Sequence, residues 1–464
     1  MSSIPIQLSE RVEQAIDKQH SHNSFRPAMN FLMGKRLAQF PDTDQLQQLR
    51  ERAASIRANA ISKLPELLQT LEQNLVANNI QVHWAKDSVE ANQIITQILK
   101  QADAKTVVKG KSMVSEEIEL NQHLEREGIQ TLETDLGEYI IQLAGETPSH
   151  IVMPAIHKSR QEIAQLLHQQ FPEFEYTEDV DQLTAQARAI LRTHFQQADA
   201  GISGVNFAVA ETGTLCLIEN EGNGRMCTTV PDLHIAVTGV EKVVEKLSDV
   251  PPLLEMLTKS ATGQPITTYV NMISSPRKPG EKDGPSAVHL VLLDNGRSEI
   301  SVNEQTLDVL KCIRCGSCIN HCPVYVQLGG HAYGTTYPGP IGIALEPMKQ
   351  GVEQLGDLTE LCTLCGACAQ VCPVKIPLPS LINQLRADVA QSNQGTTGMQ
   401  ARLWQAWRWL YANPRRYRLF TKLLTKFRWF TPGLMPRWSR YRQLQKPADK
   451  PLSTLAKEAG FTHE

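Results

Sequence analysis

The sequence predicts an α/β domain, followed by a helical cysteine-rich module and a mostly helical basic tail. Three observations predict this order. Short apolar runs alternate with helical patterns from about residue 62 to residue 300, eight of the ten cysteines lie between residues 312 and 372, and five of the six Trp residues lie after residue 389. We therefore expect four regions in a chain of 464 residues, at 1–61, 62–300, 303–388 and 389–464.

The first region, residues 1–61, is predicted to be a helical N-terminal arm. Its composition is polar, and Leu46, Leu49, Ala53 and Ile56 recur at three- and four-residue spacing. This spacing places apolar side chains on one face of a helix.

The second region, residues 62–300, is predicted to hold a largely parallel sheet covered by helices, because strands and helices alternate along it. The predicted pairs of strand and helix are 106–108 with 116–124, 150–154 with 162–171, and 235–238 with 240–247. Further strands at 207–210, 214–219 and 288–294 are separated by turns that contain Gly, and they are predicted to form a hairpin that extends this sheet.

The cysteines of the third region, residues 303–388, form two copies of the spacing C-x2-C-x2-C-x3-C-P. Bacterial ferredoxins use this run to bind two 4Fe-4S clusters, and the fourth cysteine of each run ligates the other cluster. We therefore expect two 4Fe-4S clusters with crossed ligands. The predicted ligands are Cys312, Cys315, Cys318 and Cys372 for the first cluster, and Cys362, Cys365, Cys368 and Cys322 for the second.

Zinc and disulfides are the alternatives for these cysteines. Zinc sites with four thiolates normally use two separated C-x2-C pairs, rather than three evenly spaced cysteines followed by C-P. Disulfide frameworks are typical of short secreted chains, whereas this long chain confines its cysteines to two windows. Between the two motifs, frequent Gly and Pro residues predict loops and short helices that surround the clusters.

Two lysines of the second region are candidates for binding an anion. Lys109 and Lys111 follow a predicted strand and precede a predicted helix. Free N–H groups and the helix dipole attract anions at such turns in α/β sheets. Both lysines could hold a carboxylate there, and the alternative is that both are solvated.

Four further residues are candidates for catalysis in the same region. His157, and Asp135 or Glu138, could accept the proton of an α-hydroxyl group, although a lone His at a strand end is more often structural. Arg225 could hold a carboxylate, and its alternative is a plain hairpin tip.

The two cysteines outside the motifs are Cys216 and Cys227, and Cys216 is expected to pack as a small apolar side chain. Neither a G-x-G-x-x-G run after a strand nor a Walker A run occurs, so the sequence supports no dinucleotide or ATP site.

The fourth region, residues 389–464, is strongly basic over most of its length. Twelve Lys or Arg residues and no Asp or Glu lie between Val389 and Ala448. Such a segment is typical of nucleic-acid binding, of a membrane interface or of docking on an acidic partner. A solvated tail with locally packed Trp is the alternative. The Trp residues are Trp404, Trp407, Trp409, Trp429 and Trp438, interleaved with Arg402, Arg408, Arg415, Arg416, Arg418, Arg428, Arg437, Arg440 and Arg442.

The N-terminus lacks a basic segment followed by an apolar core, and no stretch approaches the ~20 apolar residues that cross a bilayer. We therefore expect a cytoplasmic protein with no signal peptide and no transmembrane segment. Reduced thiols, which iron–sulfur assembly needs, agree with this location.

Nearly the whole chain resembles the lactate utilization protein B family. The resemblance implies an α/β domain called LUD, similar in fold to the NagB/RpiA/CoA-transferase group, then a dicluster ferredoxin module and the family's own C-terminal domain. The strings that carry it are VVKGKSMVSEEIELN (107–121), TDLGEYIIQLAGETPSHIVMPAIHK (134–158), GVNFAVAETGTLCLIENEGNGRM (204–226), LHIAVTGVEKVV (233–244), LDNGRS (293–298) and both cysteine motifs.

The resemblance implies an iron–sulfur electron-transfer subunit of an NAD-independent system that oxidises L-lactate to pyruvate, and thus a component of an L-lactate dehydrogenase complex. It implies partners of the lactate utilization protein A and C types, and any flavin is expected in a partner. The basic tail indicates a further partner, either a membrane surface or a respiratory-chain acceptor. This would place the protein at the inner face of the membrane. The alternative function is a 2-hydroxyacid oxidoreductase whose LUD domain hosts the substrate chemistry itself. A nucleic-acid protein is disfavoured, because paired clusters are built for electron transfer.

Overall fold

The computed structural model describes residues 7–17, 19–392, 399–427 and 448–461. The chain forms two compact units, Met1–Asp388 and Val389–Glu464. The predicted fold class, a parallel α/β domain followed by a helical cysteine module and a helical tail, is confirmed.

Four helices form the N-terminal part of the first unit. The third is capped by Asp42, whose carboxylate accepts hydrogen bonds from the backbone N–H groups of Asp44 and Gln45 at 2.8 and 3.0 Å. Its buried face carries two arginines, Arg50 and Arg57, among apolar residues. The helices are α1 (Leu8–Asp17), α2 (Gln19–Ala38), α3 (Thr43–Ser62) and α4 (Leu64–Ala77).

Ten strands occur within the described residues, and six of them form a parallel sheet in the order β1-β10-β7-β4-β2-β3. Successive residues of β10 point to opposite faces, so Val291 packs in one apolar core and Leu290 and Leu292 pack in another. The strands are β1 (Gln81–Ala85), β2 (Thr106–Lys109), β3 (Gln130–Glu133), β4 (Ala200–Gly204), β5 (Phe207–Val209), β6 (Thr214–Glu219), β7 (Leu233–Gly239), β8 (Val243–Val244), β9 (Tyr269–Ile273) and β10 (Ala287–Leu293).

The remaining four strands form a second sheet in the order β8-β5-β6-β9. The predicted hairpin exists, because β5 and β6 pair antiparallel with Phe207 opposite Cys216. The prediction that this hairpin extends the first sheet is wrong. The strand predicted at 288–294 exists as β10, but it was assigned to the wrong place, because it lies inside the parallel sheet between β1 and β7.

Three other predictions of local structure in this domain need correction. No strand forms at 150–154, because the His150 ring accepts hydrogen bonds from the backbone N–H groups of Val152 and Met153 at 3.0 and 3.1 Å, which holds the chain in a loop. The helix predicted at 240–247 is a short 3-10 helix, Val240–Lys242, followed by β8. The helix predicted at 116–124 is split by the left-handed backbone of Glu119, with φ of 51°.

Nine α-helices of this domain surround the two sheets within the described residues. The predicted helix at 162–171 is confirmed as Arg160–Gln170, which begins at a capping box formed by Ser159 and Glu162. The helices are α5 (Ser88–Gln101), α6 (Met113–Glu117), α7 (Leu120–Arg126), α8 (Leu136–Ala144), α9 (Arg160–Gln170), α10 (Val180–Gln197), α11 (Asn223–Thr229), α12 (Val250–Ala261) and α13 (Arg297–Ser301).

The cysteine module consists of short helices and loops, as predicted. Its apolar side chains share one core with residues of α1, α2 and α3. Three 3-10 helices, Leu307–Lys311, His331–Tyr333 and Gly356–Leu361, alternate with α14 (Ser317–Asn320), α15 (Pro323–Leu328), α16 (Gly339–Gln350), α17 (Val352–Leu355), α18 (Ala367–Val371) and α19 (Leu378–Gln391).

The second unit is helical where it is described, with α20 (Met399–Tyr411), α21 (Pro414–Lys426) and α22 (Leu452–Glu458). The ring of Trp407 stacks on Tyr411 at 4.4 Å, and the Arg416 guanidinium lies 4.1 Å from the centre of the Trp409 ring. Trp404 is 61% exposed. The other tail residues singled out from the sequence, Trp429, Trp438, Arg428, Arg437, Arg440 and Arg442, lie outside the described residues.

A membrane-spanning helix was not expected from the sequence. Among the helices of the described residues, none has both the length and the apolar character needed to cross a membrane.

Candidate functional site

Four cysteines from both motifs line one small cavity of the module. They are Cys312, Cys315 and Cys318 of the first motif and Cys372 of the second. Apolar side chains complete the wall, among them those of Ile151, Ile341 and Ile376. We call this group the first cysteine site.

The other four cysteines also group across the two motifs. Burial raises the pKa of the Cys368 thiol to about 12, and negative charge on Cys362, Cys322 and Cys365 adds to this rise. Burial likewise raises the pKa of the Cys322 thiol, and the charges of Cys362 and Cys365 add to this rise, so Cys322 lies within electrostatic range of the second motif. We call this group the second cysteine site.

The two motifs fold as matching turns. In each turn the residue before the second cysteine and the glycine after it have positive φ: Arg314 at 59° and Gly316 at 73°, and Leu364 at 55° and Gly366 at 83°. These turns direct backbone N–H groups at sulfur. The N–H groups of Arg314 and Leu364 donate to the Sγ atoms of Cys312 and Cys362 at 3.4 and 3.3 Å.

The donor set of the first cysteine site fits a 4Fe-4S cluster, because four thiols surround one buried space and backbone N–H groups face the sulfur atoms. A further N–H group, that of Ile376, donates to the Sγ atom of Cys372 at 3.3 Å. Among the described residues, no group of three or more His, Cys, Asp or Glu side chains is spaced to hold a single metal ion, and the four thiols instead line a cavity.

Three arginines of the N-terminal helices support the cysteine loops, and one of them, Arg57, also reaches the adjoining sheet domain. Arg50 donates to the carbonyl oxygens of Cys372 and Ala369, both at 2.9 Å. Arg36 donates to the carbonyl of Val371 at 3.2 Å. The N-terminal helices therefore contact the loops that carry the cysteines.

Arg57 is 1% exposed and links the first cysteine site to the sheet domain. Its guanidinium donates to the carbonyl oxygens of Leu310 at 3.1 Å and Lys311 at 3.3 Å, just before Cys312, and to that of Val243 at 2.7 Å. The sequence analysis missed these arginines. Their spacing was a signal for burial, because Arg50 and Arg57 recur on the same face of the helix as Ala53 and Ala60.

A second cavity, of about 400 Å³, lies between the sheet domain and the first cysteine site. Its floor is formed where β2, β4 and β7 end, by residues that include Gly110, Asn206 and Lys242. Arg314 and Ile151 line this cavity and the first cysteine site alike. The two cavities therefore adjoin each other at these two residues.

Charged side chains lie at different parts of the cavity wall. Lys111 donates to the carbonyl of Val152 at 2.7 Å and lies 4.0 Å from Glu138. Lys242 is 6% exposed and forms no hydrogen bond or ion pair with any described residue. Burial, and then the charge of Arg314, lowers the pKa of Lys242 to about 7.

The two predicted anion-binding lysines, His157 and Arg225 occupy different environments. Lys109 is fully buried and its amine contacts Glu133 at 2.7 Å and Glu116 at 3.0 Å, so it is neither solvated nor part of the cavity wall. Lys111 lines the cavity. His157 contacts Glu146 at 2.7 Å, and it follows a loop rather than the expected strand. Arg225 is exposed on α11.

The other residues considered from the sequence also have defined positions. Asp135 lines the cavity and caps α8. Burial raises the pKa of Glu138 to about 8, although the nearby Lys111 opposes this rise. Cys216 is buried in β6, and Cys227 is buried with its Sγ atom 3.3 Å from the Thr134 hydroxyl.

A parallel α/β domain joined to a helical module with two mixed cysteine sites defines a class of iron–sulfur protein. Family models agree with this class: the LUD domain matches residues 68–293, the 4Fe-4S dicluster domain matches residues 308–376, and the C-terminal domain of lactate utilisation protein B matches residues 382–461.

The similarity extends to whole proteins. Lactate utilization protein B of Bacillus subtilis is 42% identical over 83% of this chain and 80% of its own length, and that of Anoxybacillus flavithermus is 37% identical over 98% of both chains. An Escherichia coli protein named "Uncharacterized electron transport protein YkgF" is 43% identical over 82% of this chain and 80% of its own. The chain belongs to the lactate utilization protein B family.

One solved structure is weakly similar, a DUF162 family protein from Deinococcus radiodurans. The match covers 50% of this chain and 98% of the solved chain, with 15% identity and a TM-score of 0.28.

Proposed function

We propose that this chain is the iron–sulfur electron-transfer subunit of an NAD-independent system that oxidises L-lactate to pyruvate. The observation that carries the proposal is the grouping of eight cysteines into two sites, each of which draws on both motifs. A bound 4Fe-4S cluster supplies one-electron transfer. Because the fourth ligand of each site comes from the other motif, the two sites are close neighbours, and this suits electron transfer between them.

In this proposal Cys312, Cys315, Cys318 and Cys372 hold one cluster, and Cys362, Cys365, Cys368 and Cys322 hold the other. The protein's own residues position the thiolates through the N–H groups of the two turns and through the arginines of α2 and α3. Oxidation of L-lactate to pyruvate releases two electrons and two protons. Two one-electron sites can accept this pair of electrons in turn.

The proposed partners are subunits of the lactate utilization protein A and C types, and the names of the relatives support a lactate utilization role. We place the complex in the cytoplasm, with the basic tail at the inner face of the membrane or on a respiratory-chain acceptor. The exposed Trp and Arg side chains of α20 and α21 support such docking.

The alternative function is that the LUD domain hosts the 2-hydroxyacid chemistry itself. The cavity beside the first cysteine site favours this alternative, because a substrate there would lie next to its electron acceptor. Turnover of L-lactate by the purified chain alone, with a dye as acceptor, distinguishes the two functions.

The metal content tests the proposed function directly. Protein purified without oxygen should contain about eight iron and eight sulfide per chain, since each of two clusters has four of each. It should also show a magnetically coupled pair of clusters by electron paramagnetic resonance after reduction. Zinc in place of iron, or about four iron per chain in fully loaded protein, would contradict the proposal.

Deletion of residues 395–464 tests the docking role of the tail. Both cysteine sites should keep their iron, because every predicted ligand lies at or before Cys372. Binding to partner subunits or to anionic vesicles should be lost, and in the full chain it should weaken steeply as salt rises, because exposed charges are screened beyond about 8 Å at physiological salt. A truncated chain that still assembles and transfers electrons at the full rate would instead support a solvated tail.

A further inference from the structure

The 400 Å³ cavity lies where the strand order of the parallel sheet reverses direction. From β2 the chain moves outward to β3, and then returns to β4 on the other side of β2 before it continues to β7 and β10. Open α/β sheets bind ligands in the crevice at the carboxyl ends of strands at such a reversal. Residues that follow β2, β4 and β7 all reach this cavity.

The end of the cavity near the first cysteine site is cationic. Lys242 follows β7, lines the cavity and has no hydrogen-bond or ion-pair partner among the described residues. Arg314 lies near Lys242, and its guanidinium stacks 4.4 Å from the centre of the Tyr337 ring. Its Nη2 atom pairs with Glu241 at 3.4 Å, which balances its charge, while its Nε and Nη1 atoms have no hydrogen-bond partner within the described part of the chain. The charges of Glu241 and Cys312 act on Lys242, but none of the described acceptors contacts its ammonium group directly. A buried ammonium group without such a contact is costly, so this end of the cavity suits one negative charge.

Other residues of the cavity wall offer acids and apolar groups. Burial and the nearby Asp135 raise the pKa of Glu221, and Lys111 opposes this rise, so these three side chains lie close together there. Leu217 and Leu257 add apolar surface. A ligand with an anionic end, a small apolar group and a hydroxyl or carbonyl oxygen matches such a wall.

We propose that this cavity binds a small 2-hydroxy- or 2-oxo-monocarboxylate, with its carboxylate on Lys242 and next to the first cysteine site. The inference rests on the proposed function for the choice of acid, the pair formed by L-lactate and pyruvate. One unpartnered ammonium group matches a monocarboxylate better than a phosphate ester, which carries close to two negative charges. Lys242 is thus a carboxylate-binding residue that the sequence motifs did not identify.

Binding of pyruvate to the oxidised protein tests this proposal without turnover, because oxidised clusters have no electrons to give to pyruvate. Calorimetric titration of the full-length, iron-loaded protein measures the dissociation constant. Lys242→Met keeps most of the side-chain volume and removes the charge, so it should weaken pyruvate binding by at least about tenfold. Lys242→Arg should restore most of the affinity.

Lys105→Met is the matched control, since the Lys105 side chain is 77% exposed in the same domain and lies outside the cavity wall. It should bind pyruvate as the unaltered chain does. Visible circular dichroism should show that pyruvate changes the spectrum of the bound clusters in the unaltered chain and in Lys105→Met, but not in Lys242→Met at the same concentration.

Three results would overturn the proposal: equal dissociation constants for Lys242→Met and Lys105→Met, tighter binding of inorganic phosphate than of pyruvate, or no binding of pyruvate by fully loaded protein at about 10 mM. Failure of the electron-transfer function would be seen separately, as low iron content or clusters that cannot be reduced. Thermal melting of each variant, compared with that of the unaltered chain, shows whether a loss of binding comes from unfolding.

Discussion

Cys372→Ser should remove the cluster of the first cysteine site, although Cys372 belongs to the second motif. Its side chain lines the same cavity as Cys312, Cys315 and Cys318. Serine is a poor ligand for iron beside three thiolates, so the iron content should fall by about half, from about eight to about four per chain. The magnetic coupling between reduced clusters should disappear with it.

Double substitutions identify which cluster is lost. If Cys372 and Cys315 serve the same cluster, Cys372→Ser with Cys315→Ser should keep about four iron, as either single variant does. Cys372→Ser with Cys365→Ser should lose nearly all iron, because each cluster then lacks one ligand. The reverse pattern, in which Cys372→Ser and Cys365→Ser together retain about four iron, would show that each motif holds its own cluster.

Much of this fold could be predicted because the signals were local. The short apolar run at 106–108 and the helical pattern at 162–171 predict strand β2 and helix α9. The cysteine spacing likewise identified four cysteines of mixed origin, which the structure places around one cavity. Ligation itself stays a prediction.

The errors arose where distant contacts decide local structure. The pattern 240–247 is helical in sequence, but Val243 pairs with Ala208 of β5 and so forms a strand. The run 150–154 is apolar, but the buried His150 ring takes the backbone N–H groups that a strand would use. Neither the pairing with β5 nor the burial of His150 is visible in a short window of sequence.

Charge alone did not reveal which lysine faces the cavity. Lys109 and Lys111 have the same local context, yet Lys109 is buried between Glu116 and Glu133 while Lys111 lines the cavity. Lys242 gave no signal, because it lies within the predicted helix 240–247, where the structure instead has a short 3-10 helix that ends at Lys242. Pairing of lysines with acids depends on strand order, which single-sequence patterns do not specify.

The sheet domain and the cysteine module are joined by a buried ionic network centred on Arg297. Its guanidinium donates to both carboxylate oxygens of Glu117, at 2.9 and 2.8 Å, and to Glu241 at 2.6 Å. Lys349 of the module contacts Glu117 at 2.6 Å, and the Tyr337 hydroxyl donates to it at 2.9 Å. The partners come from both parts of the first unit, so the network holds them together.

Arg297→Met should therefore destabilise the sheet domain and the cysteine module together. The substitution leaves two buried carboxylates without their main partner, and the loss of one member of a buried pair costs about 3–5 kcal/mol. Unfolding in urea without oxygen, followed by far-ultraviolet circular dichroism and by the visible absorbance of the clusters, should show both signals lost at a lower urea concentration.

Arg277→Met is the matched control, because Arg277 pairs with Asp232 at 3.2 Å on the surface, where the two side chains are 37% and 67% exposed. Such an exposed pair contributes at most about 1 kcal/mol to stability. Equal midpoints for the two variants, or loss of the cluster absorbance while the helical signal keeps its original midpoint, would show that the Arg297 network does not join the two parts.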